Sequence, residues 1–267
     1  MNSDKTEWLT YNELAWTDLM ISGTYDVDEE TELLVKTIME YSSGDIRTVL
    51  HLGCGAGLND YTFKKHFKVT GVDISQGMLD IARKINPEII YHEGDMRSIE
   101  LGEVFDAVIV PDSIDYMRTE DDLFSVMMTA NKHLRSGGML MVVAHPEEMF
   151  HQNNFVYTGS DNDTEITVYE NNYIPASPGT GYEATFVYLI RRHGKLEIYT
   201  DRHFLGLHKL QTWLDLFTRA GFEDIVQIDM DHTYERFVMK GGEFAQVVFI
   251  CRQPQDNAGS AYRWYEG

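Results

Sequence analysis

Three places along this chain combine residue types that do chemistry. Gly53-Cys54-Gly55-Ala56-Gly57 closes an apolar run that begins at Val49. Glycines at this density permit positive φ and let a ligand come close to the backbone. Asp73 ends a second apolar run, VTGVD, where its carboxylate can accept hydrogen bonds from both hydroxyls of a ribose. Asp95, in HEGDM, can accept from an adenine amino group, with Met96 against the ring. Together these describe a nucleoside-bearing ligand. A dinucleotide loop wants G-x-G-x-x-G, and its third glycine would fall at Leu58. The loop is G-x-G-x-G instead, so its ligand need not carry a pyrophosphate. Plain structural roles stay open for each residue: a tight βα turn, a helix N-cap for Asp73, a turn for Asp95.

Elements must hold these residues together. TVLHLG (48–53), KVTGVDI (68–74), EIIYHEG (88–94), FDAVIVP (105–111) and MLMVVAH (139–145) read as strands. Segments 57–66, 75–85 and 120–135 between them read as helices. That alternation predicts βαβ units and a mostly parallel sheet, with ligands outside the carboxyl ends of its strands. Residues 1–47 read as helical, with Leu33, Leu34, Ile38 and Met39 recurring at helical spacing. From about 155 to 205 alternating aromatic segments, with RHGK as a tight turn, predict an inserted antiparallel sheet. HKLQTWLDLFTRAGF then reads as a helix with Leu210, Trp213, Leu214 and Phe217 on one face and Gly221 as its stop. DIVQIDM and EFAQVVFICR are the last two strands. The expected organisation is an N-terminal helical lid (1–44), a core (45–150 and 206–252), an antiparallel insertion (151–205) and a polar tail (253–267). The insertion caps the substrate or pairs with a second subunit, so a monomer and a homodimer both stay open.

Composition narrows the partners. The 267 residues carry 22 Lys and Arg against 43 Asp and Glu, a formal charge of −21. A phosphate backbone is repelled by such a surface, so nucleic acid is not expected. Two distant cysteines, Cys54 and Cys251, suit a reducing compartment. No apolar run reaches ~18 residues, so no membrane span is expected. The first residues lack the basic and apolar regions of a signal peptide, which points to the cytoplasm.

LHLGCGAG, VTGVDIS followed by GMLDIAR, GDM, FDAVIV and LRSGGMLMV resemble, in order, the motifs of class I S-adenosylmethionine-dependent methyltransferases. The resemblance covers about residues 45–145. It implies a Rossmann-like α/β fold with a seven-stranded sheet, helices on both faces and strand order 3-2-1-4-5-7-6, the last strand antiparallel. It implies S-adenosylmethionine as cofactor. Gly53, Gly55 and Gly57, with Cys54 among them, then line its methionine part, and Asp73 holds the ribose. Ile74 and Met78 flank the adenine, Asp95 and Met96 close its edge, and Asp112 and Ser113 sit near the sulfonium. The family usually has an acidic residue where this chain has His51, which supplies no carboxylate for the cofactor's ammonium. Tyr11 and Tyr25, with Trp8 and Trp16, can form a lid whose aromatic faces suit a sulfonium, or pack in the core.

A sulfonium methyl is already electrophilic, so the protein must align a nucleophile, exclude water and, for an ammonium or hydroxyl, remove a proton. The motif used on exocyclic base amines is absent after FDAVIV, where Val110-Pro111-Asp112-Ser113 stands. Asp112 and Asp115 lack a third ligand, so no metal is expected. YTDRHFLGLHKLQTWLDLFTRAGF (199–222) and SIDYM (113–117) are similar to segments of small-molecule N-methyltransferases acting on nucleotide-linked amino sugars. Asp201 replaces a Glu of that pattern, and His208 a Phe. A small-molecule acceptor is therefore expected, methylated on nitrogen ahead of oxygen. Candidate bases are His145, Asp115, Tyr116 and His203. Two rival readings stay open: a cofactor-binding protein without catalysis, and a nicotinamide-dependent oxidoreductase on a Rossmann sheet.

Overall fold

The structure is a computed structural model that describes residues 8–21, 27–175, 181–231, 239 and 243–255. Tyr25 lies outside these residues. Strands apolar on both faces must be covered twice, and this chain supplies two layers of helices to do it. β1 (Thr48–Leu52), β2 (Lys68–Asp73), β3 (Ile90–Glu93), β4 (Phe105–Val110) and β5 (Leu134–Ala144) pair in parallel. After the second sheet, β10 (Glu223–Asp231) and β11 (Ala245–Arg252) complete the order β10-β11-β5-β4-β1-β2-β3. β11 runs antiparallel to both neighbours. This is the expected 3-2-1-4-5-7-6 order.

Alternation along the strands divides the core. Leu50, Leu52, Val108, Val110, Leu140 and Val142 face α5 (Glu120–Lys132) and α6 (Leu210–Arg219), which contribute Leu123, Met127, Trp213 and Phe217. Val49, Ile109, Met141 and Val143 face the other way, toward α2 (Val27–Tyr41) and α4 (Gln76–Ile85), with Leu34, Ile38, Leu79 and Ala82. Each buried side chain of this size contributes ~1.5–3 kcal/mol. The expected helix spacing in α2 holds for Leu34 and Ile38, but Leu33 and Met39 stay exposed. Val35 takes the third core position. The segment before α2 is less helical than its pattern suggests: two 3-10 turns, Leu9–Tyr11 and Ala15–Thr17, and one α-turn, α1 (Asp18–Ile21).

The second sheet is an antiparallel meander of β6 (Asn153–Asp161), β7 (Thr164–Tyr173), β8 (Tyr182–Arg192) and β9 (Lys195–Leu205). His193 and Gly194 join β8 to β9 with φ of 47° and 79°, the paired positive values of a tight hairpin turn. One face of this sheet presents Ile166, Val168, Tyr188 and Ile190 to Leu14 and Ile21. Gly159 lets the chain at Met20 cross β6, since a Cβ there would strike the Met20 carbonyl. Ala15 meanwhile packs with Met78 and Ile81 of α4. The N-terminal segment is thus pinned to both sheets, and roofs the space between them.

Candidate active site

One cavity of about 1440 Å³ runs from the carboxyl ends of β1, β2 and β4 to the inner face of the second sheet. At its nucleoside end, Asp73 ties the glycine loop to the next helix. Its two oxygens accept from Gly55 N and Ser75 N, both at 2.8 Å. Ser75, not Asp73, caps α4, accepting from Met78 N at 3.2 Å. Burial pushes the Asp73 carboxyl up, against the bonds from Ser75 and Gly55 that pull it down. The alternative of Asp73 as a simple N-cap is therefore corrected.

The three loop glycines have different reasons to be glycine. All have positive φ, 74°, 53° and 71° for Gly53, Gly55 and Gly57. A Cβ on Gly53 would strike Ser113, and its methyl neighbour Met96 Cε lies 2.8 Å away. A Cβ on Gly57 would meet Tyr91 Oη at 2.7 Å, so Gly57 serves packing and lies off the cavity lining. A Cβ on Gly55 would meet nothing closer than Met78 Cε at 3.5 Å, and it would occupy the cavity.

Ile74, Met78, Asp95, Met96, Cys54, Asp112, Ser113 and Tyr11 also line this cavity. Burial pushes the Cys54 thiol well up, which keeps it protonated. Asp95 is engaged: Arg97 Nη2 donates to it at 2.6 Å and reaches Asp122 with Nη1 at 2.7 Å. Burial pushes Asp95 up, but the Arg97 bonds and charge outweigh it and hold its carboxyl low. Met96 is half-buried beside it.

His51 is fully inside, 2% exposed, and its Nδ1 lies 2.7 Å from Asp60 Oδ1. Tyr91 Oη donates to the other Asp60 oxygen at 2.9 Å. The carboxylate missing from β1 thus stands one step behind the imidazole, on α3 (Leu58–Phe63). With Nδ1–H given to Asp60, Nε2 of a neutral ring is an acceptor, and His51 lines the cavity. Replacing Asp60 by Leu would strand the His51 N–H and the Tyr91 hydroxyl, at ~1–3 kcal/mol each. Urea unfolding should show a lower midpoint at unchanged slope.

The four candidate bases form two pairs. His145 Nδ1 lies 2.6 Å from Asp115 Oδ2, which also receives the Tyr182 hydroxyl at 3.4 Å. His145 Nε2 is buried without a hydrogen-bond partner, and the residue lines the cavity. Burial alone would lower the His145 pKa, but the charge and hydrogen bond of Asp115, with Asp112 and Glu170 behind it, raise it above the ordinary 6.5. Asp112 itself is pushed up to about 6, chiefly by burial and then by Asp115, with His145 opposing. It holds φ of 56°, which a non-glycine residue adopts only when its surroundings impose it.

Tyr116 and His203 form the other pair. His203 Nε2 lies 3.0 Å from Asp201 Oδ2 and its Nδ1 2.6 Å from Tyr116 Oη. Burial lowers the His203 pKa, so the ring is neutral. Its Nε2–H must face the carboxylate, and its Nδ1 must accept. Tyr116 therefore donates to His203, and Tyr11, 2.6 Å from Tyr116, donates to Tyr116. Burial pushes both phenols up. His203 is 0% exposed and off the cavity lining, so it positions Tyr116 and Tyr11 and has no nitrogen left for a substrate. Trp8 packs against this chain at a tilt, its ring centroid 4.7 Å from Tyr116.

Residues 49–138 match a family model described as a methyltransferase domain. Over that stretch the core of this chain is similar to methyltransferase domains, and its fold is that of the solved methyltransferases below. A dTDP-3-amino-3,4,6-trideoxy-alpha-D-glucopyranose N,N-dimethyltransferase of Streptomyces venezuelae is 36% identical over 97 residues, 36% of this chain and 41% of that protein. The matched stretch thus spans well under half the length of that relative. A putative methyltransferase of Geobacillus sp. (strain WCH70) is 28% identical over 85% of this chain and 94% of its own length. The crystal structure of Streptomyces venezuelae DesVI shares the fold at TM-score 0.74 and 21% identity, covering 95% of this chain and all 100% of that one. The sugar N-methyltransferase KedS8 from Streptoalloteichus sp. has TM-score 0.74 at 19% identity, over 96% and 97% of the two chains.

The geometry of the site fits S-adenosylmethionine. Gly55 leaves open the volume a Cβ would fill, and the Asp73 carboxylate faces that volume between two backbone amides. Among the described residues no group of His, Cys, Asp and Glu could hold a metal, and no helix is long and apolar enough to cross a membrane. Sequence reasoning missed Asp60 and Tyr91 behind His51, and Asn153, Glu170, Asn172 and Gln246 elsewhere in the cavity lining. Strand alternation does place the β6 and β7 residues on one face, but only the second sheet's docking shows that this face meets the cavity.

Proposed function

We propose that this protein transfers a methyl group from S-adenosylmethionine to a nitrogen of a small-molecule acceptor. The observation that carries the reading is the His145–Asp115 pair, with His145 Nε2 unpartnered in the same cavity as Gly55 and Asp73. In this reading Gly53, Cys54 and Gly55 border the methionine part and Asp73 takes the ribose. Ile74 and Met78 flank the base, Asp95 and Met96 close its edge, and Asp112 and Ser113 lie toward the sulfonium. The bound cofactor supplies an electrophilic methyl on sulfur. Everything else falls to the chain. His145 Nε2 takes the proton of the acceptor ammonium, and Asp115 steadies the imidazolium that results. Tyr11, fixed through Tyr116 and His203, closes the lid and keeps water out. The naming of the Streptomyces venezuelae relative as an N,N-dimethyltransferase supports nitrogen over oxygen.

The test is transfer of labelled methyl from S-adenosylmethionine to paired acceptors that differ only in an amine or a hydroxyl. Label on the amines, with none on the matched alcohols, is the expected result. Label on the alcohols alone would overturn the preference for nitrogen.

A further inference from the structure

The cavity wall under the second sheet carries polar atoms that methyl transfer leaves unused. Glu170 on β7 accepts from Asn172 Nδ2 at 2.7 Å and from Tyr157 Oη at 2.8 Å. Asn153 on β6 stands opposite Asn172 in the ladder. Gln246 on β11 donates to Asp112 Oδ1 at 2.5 Å. All line the one cavity.

The amide groups are oriented by what their nitrogens do. Asn153 Nδ2 donates to the Glu243 carbonyl, Asn172 Nδ2 to Glu170, and Gln246 Nε2 to Asp112. Turning any of them over would set oxygen against oxygen. The Asn153, Asn172 and Gln246 oxygens are therefore acceptors. They belong to side chains 3%, 8% and 1% exposed, and none has a donor. An unmatched buried acceptor costs ~1–3 kcal/mol, so several along one wall ask for a ligand that completes them.

Such a ligand must bring hydrogens and positive charge. The charged group that acts on Glu170 is His145, and His145 is held by Asp115. The arginines that line the cavity stand elsewhere. Arg97 is bonded to Asp95 and Asp122. Arg118 and Arg202 flank the Phe204 ring at 5.7 and 5.6 Å. Burial lifts the Glu170 carboxyl above its ordinary value, and the bonds from Asn172 and Tyr157 and the charge of His145 offset only part of that. His145 and Glu170 line the same cavity, so the two ends of one small molecule can reach them.

We propose that Glu170, with the Asn153 and Asn172 oxygens beside it, anchors a second, non-reacting protonated amine of the acceptor, so that the substrate class is a small molecule bearing at least two amino groups. This rests on the reading of the site as an N-methyltransferase, with the reacting nitrogen at His145. The anchor fixes the far end of the acceptor and so sets which nitrogen meets the methyl.

The test is calorimetric titration of the full chain, both saturated with S-adenosylhomocysteine and without it. The probes are linear α,ω-diamines of three to six carbons, each beside the amino alcohol of equal length. The expected result is that at one length or more the diamine binds at least ~10-fold tighter than its amino alcohol. Glu170→Gln should bring the diamine down to the amino alcohol while S-adenosylhomocysteine affinity and the thermal midpoint hold. Equal binding of both probes at every length would overturn the anchor. So would a diamine preference that survives in Glu170→Gln. Failure of S-adenosylhomocysteine to bind would instead strike the methyltransferase reading, and the titrations without it would still decide the anchor.

Discussion

Replacing His145 by Gln lowers kcat by ~10²–10⁴, the range that a positioned general base supplies, and leaves S-adenosylhomocysteine affinity near the wild-type value. The separation follows from placement. His145 stands just past the carboxyl end of β5 in the cavity lining, while the nucleoside end is built on β1 and β2. The pH profile carries the same claim. Asp115, Asp112 and Glu170 raise the His145 pKa above 6.5 against the effect of burial. The neutral ring is the base, so kcat should fall as pH drops through that raised value, with the acid limb above 6.5. Stability moves the opposite way. A raised histidine contributes stability that is fully present below its unfolded pKa and is lost as pH rises through the folded one. A glutamine variant should lose the acid limb as well as the rate, which a merely structural residue would not do. Steady-state kinetics of both proteins across pH is the check.

Asp73→Ala should cost at least ~100-fold in affinity for S-adenosylmethionine and its demethylated product alike. Two hydrogen bonds to a charged carboxylate, at ~1.5–3 kcal/mol each, set that scale. The loss has a second source in the free protein. Asp73 holds Gly55 N and Ser75 N together, so its removal also loosens the glycine loop where Gly55 keeps a positive φ. Asp73→Asn keeps one acceptor and should fall between. Calorimetric titration with S-adenosylhomocysteine measures all three proteins, and equal affinities would remove Asp73 from the ribose site.

The order of the main sheet was legible because its signals are local. The strands are short apolar runs, most end at Gly, Pro or Asp, and helical spacing fills most of the gaps. The second sheet was legible for the same reason, down to the turn at His193 and Gly194. What spacing could not tell is which face meets which. Gly57 looks like Gly55 in sequence, yet one packs against Tyr91 and the other borders the cavity. The His145–Asp115 bond joins residues thirty positions apart with no pattern between them. His203 was a fair candidate until the docking of the second sheet turned it inward, behind Tyr116. His51 read as a lost carboxylate because Asp60 lies on the following helix, where an acidic residue in the first turn is ordinary.

The central claim is that one cavity holds the cofactor and presents its reacting end to His145. A crystal structure of the protein with S-adenosylhomocysteine tests it most directly. The account predicts the ribose hydroxyls on Asp73, the methionine part alongside Gly55, and the sulfur on the side of the cavity where Asp112, Ser113 and His145 stand. A bound product with its ribose away from Asp73, or its sulfur turned from His145, would contradict it.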